Sequence, residues 1–191
     1  MTTHLSERDG EEKLGRYDPR PIRIEGDLAF IPLTQGREAV IDAADVPLVE
    51  GRNWHAVLNR NVYYARSCGS RAGGAKRRMI PLHRLLMSPP DNLLVDHIDG
   101  DGLNCRRSNM RLATIAQNTC NQRLSVANKS GYKGVVWDKL FKRWKASIRV
   151  AGRTIELGRF RDIKDAAARY AEASTHYHGQ FANTGRQEIS P

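Results

Sequence analysis

Residues 96–121, DHIDGDGLNCRRSNMRLATIAQNTCN, admit few folds. The run Leu93-Leu94-Val95-Asp96-His97-Ile98 has the apolar, β-branched content of a strand, and Asp99-Gly100-Asp101-Gly102 behind it has the composition of a turn. Met110-Arg111-Leu112-Ala113 reads as a returning strand. Thr114 and Gln117 then stand at the T-x-x-Q spacing of a capping box, in which each side chain satisfies the other residue's backbone N–H. A helix therefore starts at Thr114, and Asn118 lies one turn into it. Strand, loop, strand and capped helix in so short a stretch have to form one local unit.

Asp96, His97, Asn109 and Asn118 are the members of this unit that carry chemistry. Carboxylate and carboxamide oxygens are hard donors, suited to a cation that keeps part of its water shell. An imidazole titrates near neutrality and accepts a proton from water. The set can hold one hard cation and one general base side by side. Neighbours on a flat strand face opposite ways, so Asp96 and His97 can serve one site only where the strand ends. Gly100 and Gly102 supply that break. Asp101 and Asn104 read as loop-shaping residues. His83, alone on a short helix expected over 80–87, reads as a packing residue and stays outside the set.

The net charge of +10 favours a polyanionic partner. It is unevenly spread: the first 50 residues are net acidic, and the cations of 51–191 are interleaved with apolar residues at regular periods, as on folded surfaces. Three cysteines, Cys68, Cys105 and Cys120, without a CxxC pair argue against a disulfide framework and a four-cysteine zinc site. No apolar run reaches membrane length and the polar start has no signal-peptide character, so the expectation is a cytoplasmic protein of a bacterial or phage-infected cell, without a membrane partner. Nothing in the sequence specifies an oligomer, and a monomer fits.

In chain order, 1–19 reads as a disordered arm. Strands are expected over 22–25, 28–33 and 39–42, a helical turn over 42–49, and strands again over 54–58 and 62–67. A Gly-rich loop with four cations follows at 68–78, then the short helix with Pro81 in its first turn. Trp54, Tyr63 and Tyr64 read as core rather than as base-stacking platforms. Residues 20–123 thus form a β-rich support with the 96–121 unit, 124–129 a linker, 130–184 a second domain and 185–191 a tail. Within the second domain, strands are expected over 132–137, 143–150 and 154–160. A helix follows over 162–178, with Ala166, Tyr170, Ala173 and Tyr177 on one stripe. In the middle strand Arg143, Lys145, Ser147 and Arg149 alternate with Trp144, Ala146, Ile148 and Val150. One face is apolar and suits the helix; the other carries cations and no acid, and suits a nucleic-acid groove.

Asp96-His97-Ile98-Asp99-Gly100, Asn104, Arg106, Asn109 and Arg111 together resemble the signature of the HNH endonucleases, in particular the phage and intron-associated branch. The resemblance implies a ββα-metal core acting on double-stranded DNA. It makes His97 the general base and Asn109 its orienter, with Asp96 and Asn118 as ligands of Mg²⁺ or Mn²⁺. The family also places His where this chain has Asn118, and relatives with Asn include nicking and double-strand-cutting enzymes, so the number of strands cut stays open.

The pattern SGYKGVVWD, RWKASIRV, ELGRF and AAARYAEA resembles the AP2/ERF DNA-binding domain over about 130–184. Lys133 and Arg149 stand where that domain places DNA-touching arginines. Arg143, Lys145 and Arg153 complete the expected DNA-binding set. Val136, Ser147 and Glu156 replace other contact residues, so the plant target sequence does not carry over.

The combined expectation is an α+β chain with an HNH core, a β-rich N-terminal support and a sheet-plus-helix AP2-like domain. It is read as a metal-dependent, homing-type DNA endonuclease tethered to its target by the second domain. The alternative is a non-catalytic DNA-binding regulator with a vestigial HNH fold.

Overall fold

The computed structural model describes residues 19–68, 78–122, 124 and 127–184. The arm expected over 1–19 (apart from Pro19), the Gly-rich loop (apart from Cys68 and Arg78) and the tail 185–191 therefore lie outside the described residues. The chain divides into two compact units, 1–86 and 87–191.

The first unit opens with an antiparallel sheet, β1 (Arg23–Glu25), β2 (Leu28–Pro32) and β3 (Glu38–Asp42), in that spatial order. Its alternation is that of a half-buried sheet: Ala29, Ile31, Ala39 and Ile41 are buried and their neighbours are not. A single helical turn, α1 (Val46–Val49), has Pro47 near its start. The second sheet runs β4 (Trp54–Asn59), β5 (Val62–Cys68) and β6 (Met79–Pro81), followed by α2 (Leu82–Met87). Here the expected helix over 80–87 is shortened. Ile80 and Pro81 belong to an edge strand, with Pro81 opposite Arg66, and an edge tolerates a residue without an N–H. Trp54 is core: it is 2% exposed and its indole N–H donates to Val49 O at 3.0 Å. Tyr63 is half-buried beneath the Arg37 guanidinium, 3.5 Å from the ring centroid. The two sheets are joined where Ala56 N donates to Thr34 Oγ1 at 3.0 Å and Arg20 donates to Trp54 O at 2.9 Å.

The second unit contains both the 96–121 segment and the C-terminal sheet. β7 (Leu94–His97) pairs antiparallel with β8 (Met110–Ala113), placing Asp96 opposite Arg111 and His97 opposite Met110. The capping box forms as its spacing predicts. Gln117 N donates to Thr114 Oγ1 and Thr114 N to Gln117 Oε1, and α3 (Ile115–Asn121) follows.

Further along come β9 (Val135–Asp138), β10 (Arg143–Val150), β11 (Arg153–Phe160) and α4 (Ile163–His178), with strand order β11-β10-β9. Asp162 caps α4 by accepting from Lys164 N at 2.7 Å. The strand expected from 132 starts only at Val135 because Gly134 is left-handed, with φ 69°. A Cβ at Gly134 would sit 2.1 Å from Tyr170 Cδ2, so the missing side chain is what lets Tyr170 of α4 lie on the backbone. Val135, Ala146, Ile148, Ala166, Tyr170 and Ala173 form the core between sheet and helix. A β-bulge between Ala146 and Ser147 leaves Leu157 as the extra residue of β11, and it packs into both halves of that core. Tyr177, the fourth member of the expected helix stripe, is 44% exposed; the buried run ends at Ser174. The chain then turns through a 3-10 segment, Gly179–Phe181, that buries Phe181.

The opposite face of the sheet is not of one sign, as the middle strand by itself suggested. Register puts Asp138 beside Arg143, Arg159 beside Lys145, and Glu156 beside Ser147. Arg159 pairs with Asp138 at 3.0 Å and with Glu156. Arg143, Lys145 and Arg149 are the cations of this face that lie outside that pairing.

Candidate active site

Asp96 and His97 end β7 and are 4% and 5% exposed. The strand stops there because Gly100, at φ 73°, turns the chain so that its N–H donates back to His97 O at 2.9 Å. The loop beyond is held by short polar side chains. Asp99 accepts from Asp101 N at 2.8 Å and from the Asn104 amide at 2.7 Å, and Asp101 accepts from Leu103 N at 3.0 Å. Asp101 and Asn104 thus occupy the loop-shaping places expected of them.

Asn109, 8% exposed, closes this loop. Its amide donates to Asp99 Oδ1 at 2.9 Å and to Asn104 O at 2.8 Å, and its side-chain oxygen accepts from Asp99 N at 3.2 Å. Its backbone oxygen accepts from Ile98 N at 2.8 Å. Asn109 therefore fixes the two residues that directly follow His97. Partial burial would raise the Asp99 carboxyl, but the Asp101 N–H and the amides of Asn109 and Asn104 outweigh it and hold the group below the ordinary carboxylate range.

Burial lowers the pKa of His97 despite the opposing pull of Asp99, Asp96 and Asp101, so the imidazole is neutral at neutral pH, as a proton acceptor must be. Its Nε2 lies 3.7 Å from Cys105 Sγ. Burial, with Asp101 and Asp99 nearby, pushes the Cys105 thiol up to about 12, so it stays protonated beside the ring.

The carboxylate of Asp96 is heavily engaged. Arg111 donates to Oδ2 from Nε at 2.8 Å and from Nη2 at 2.7 Å. The Asn121 amide donates to Oδ1 at 3.0 Å and also to His97 O at 2.8 Å. Asn118 lies one turn into α3, half-buried, with its N–H on Thr114 O at 2.9 Å. The amide that the fold brings onto Asp96 is thus Asn121's, three residues further along the same helix. That i, i+3 relation to Asn118 was the one signal in the sequence that could have found it. Arg111 belonged to the HNH-like signature but without a role, and nothing in the sequence pointed to Cys105.

The five residues expected to bind DNA separate into three groups. Arg143, Lys145 and Arg149 lie on the face away from α4. Arg153, exposed at the end of the β10–β11 hairpin, is in register with Val150 and so belongs to the helix side. Lys133 is not on the sheet face. Its ammonium donates to Cys120 O at 2.6 Å and Gln122 O at 2.8 Å, closing the C-terminal end of α3. Burial lowers it to about 8.

Among the described residues no group of three or more His, Cys, Asp and Glu side chains could hold a metal ion. The donor set still fits a hard cation. A carboxylate offers about four lone-pair sites, of which Arg111 and Asn121 occupy most but not all, and Mg²⁺ commonly takes only one or two protein oxygens and fills its shell with water and phosphate. No helix among the described residues is long and apolar enough to cross a membrane.

A β-hairpin ending in a buried Asp-His pair, followed by a capped helix, is the arrangement of an HNH centre, and residues 88–120 match the HNH endonuclease family. The chain belongs to that family. It is 34% identical to "Protein 3.8" of Escherichia phage T7 over 109 residues, 56% of this chain and 89% of the relative. It is also 36% identical over 93 residues to "Uncharacterized HNH endonuclease L560" of Acanthamoeba polyphaga mimivirus, spanning 49% of this chain and about half, 47%, of that protein. No solved structure matches the chain.

Proposed function

We propose that the chain is a metal-dependent DNA endonuclease whose C-terminal sheet holds DNA. His97 takes the proton of the attacking water, and Asn109 fixes the backbone that carries it. Asp96, together with Asn118, would hold a divalent ion, Mg²⁺ or Mn²⁺. When bound, such an ion neutralises developing charge on the phosphate and the leaving oxygen. The observation that carries the reading is the burial of Asp96 and His97 at the end of one strand, with the imidazole kept neutral.

Arg143, Lys145 and Arg149 form the DNA-facing set on the sheet, with Arg153 at its rim. Three antiparallel strands, one covering helix and the matching sequence pattern over 130–184 support the AP2-like reading of this part, and a homing-type role follows from the pairing of the two modules. Lys133, the fifth member of the expected DNA-binding set, has its ammonium on the carbonyls at the end of α3.

The test uses supercoiled plasmid, Mg²⁺ and the full chain, compared with His97→Ala. Cleavage by the wild type and its loss in the variant, with DNA binding intact, is the expected result. Undiminished cutting by His97→Ala would remove the base assignment. The second reading, a DNA-binding protein with a vestigial centre, is favoured by the guanidinium already seated on Asp96. A gel shift without cutting under any divalent ion would select it.

A further inference from the structure

The segment that follows α4 reaches into the candidate centre. The Arg111 side chain, whose Nε and Nη2 grip Asp96, gives its third nitrogen, Nη1, to Gln180 O. The ring of Phe181 lies under the same guanidinium, 4.0 Å from Cζ, and Phe181 is only 4% exposed. Two residues on, the amide of Asn183 donates to Asn121 O at 2.8 Å. Both partners of Asp96 are therefore held from behind by one short stretch near the C-terminus.

A helix end leaves its last carbonyls without intrahelical donors, and Asn183 and Lys133 supply donors at the end of α3. The side chain of Asn121 then has a fixed base from which to reach Asp96 and His97 O. Arg111 is in the same position. A guanidinium on a long flexible stem becomes a rigid fork only when its plane is packed, and Phe181 packs it.

We propose that residues 180–183 are a positioning element of the nuclease centre: Phe181 and Asn183 set Arg111 and Asn121, and through them Asp96. The proposal rests on the nuclease reading above. It makes the C-terminal module more than a tether, since its last turn completes the cradle around Asp96. Phe181 lies against Arg111, and Asn183 donates to Asn121 O. They act through residues that touch Asp96.

The experiment compares full-length wild type with Phe181→Leu, Phe181→Tyr and Asn183→Ala. Phe181→Leu keeps an apolar filling and loses the ring face, Phe181→Tyr restores the ring, and Asn183→Ala removes one amide from a half-buried position. Three quantities are read: the single-turnover cleavage rate at saturating plasmid, the DNA affinity by gel shift, and the Arg111 Nε–H signal of the metal-free chain in a ¹H–¹⁵N spectrum. Phe181→Leu and Asn183→Ala are expected to cut about 10–100-fold more slowly, the usual effect of removing a group that orients a metal ligand. DNA affinity stays unchanged. The slowly exchanging Arg111 Nε–H is lost or broadened in Phe181→Leu, and Phe181→Tyr recovers both rate and signal.

Wild-type rates and an unaltered Arg111 signal in Phe181→Leu and Asn183→Ala would overturn the proposal. Should Phe181→Leu melt below the assay temperature, Asn183→Ala decides. Should the wild type itself fail to cut, the nuclease reading falls, and the Arg111 Nε–H signal still shows whether residues 180–183 hold the guanidinium.

Discussion

Arg111→Met is the substitution whose consequence the structure specifies most closely. The Asp96 side chain is 5% exposed and that of Arg111 15%, and two N–H donors of the guanidinium meet one carboxylate oxygen. Methionine keeps the apolar stem on Phe181 and deletes the charge. Asp96 is then a buried carboxylate supported by the Asn121 amide, and breaking a buried pair from one side costs about 3–5 kcal/mol. Against a typical total of about 5–15 kcal/mol this is a large fraction. With a urea slope of about 2 kcal/mol per molar, the midpoint falls by roughly 2 M. Trp137 and Trp144 lie in the unit that holds the ion pair, so a Trp54→Phe background makes fluorescence report on that unit. The companion is Arg111→Met with Asp96→Asn. A neutral amide needs no counter-charge, so the double variant regains much of the loss. Mg²⁺ is expected to stabilise the single variant more than the wild type, because the ion supplies the missing positive charge to the native state. A loss under about 1 kcal/mol, or a double variant no more stable than the single one, refutes the reasoning.

Gly134→Ala combines a left-handed φ with a Cβ forced into Tyr170 and Ser147 O. It should cost about 2–5 kcal/mol in the same urea titration, and a midpoint near wild type contradicts the packing account. Asn121→Ala removes a donor from Asp96 and leaves His97 O with one fewer partner, for a loss of about 2–3 kcal/mol. Asn118→Ala, which disturbs no such hydrogen bond, should lower Mn²⁺ affinity while leaving the midpoint near wild type. The Cys105 thiol, raised from 9.0 to about 12, should resist iodoacetamide in the native chain while exposed Cys68 reacts, as mass spectrometry would show. Because its folded pKa exceeds the unfolded one, this thiol's contribution to stability is complete below pH 9 and is lost as pH rises toward 12. Cys105→Ala should remove that part of the alkaline slope. Lys145→Glu and Arg149→Glu should weaken DNA binding across sequences and reduce the salt slope by about one for each phosphate that is no longer neutralised; a wild-type slope would take the sheet face out of the DNA interface.

Local rules made much of this chain legible. A capping box needs only Thr114 and Gln117, and a strand's two faces follow from its period, so α3, β10 and the covering helix were readable from residue types and spacing. The Asp96-His97 pair was readable for the same reason, including the need for a strand end at that point. What spacing cannot report is which distant groups meet. Pro81 looked like a helix start until pairing with β5 drew it into an edge strand. The basic face of β10 looked one-signed until the register of β9 and β11 laid Asp138 and Glu156 beside it. Lys133 stands where the resemblance places a DNA-touching arginine, and its contacts with the carbonyls at the end of α3 were not legible in the spacing.

The sequence by itself determined the hairpin, the capped helix and the placing of Asp96 and His97 at a strand end, because each depends on interactions within a few residues or on one repeating period. Only the tertiary structure decided how Asp96 is held. Its partners are Arg111 across the hairpin and Asn121 at the far end of the helix. Behind those two stand Phe181 and Asn183, more than sixty residues further along. Such pairings arise when separate elements bury their apolar faces together, and no local pattern records them.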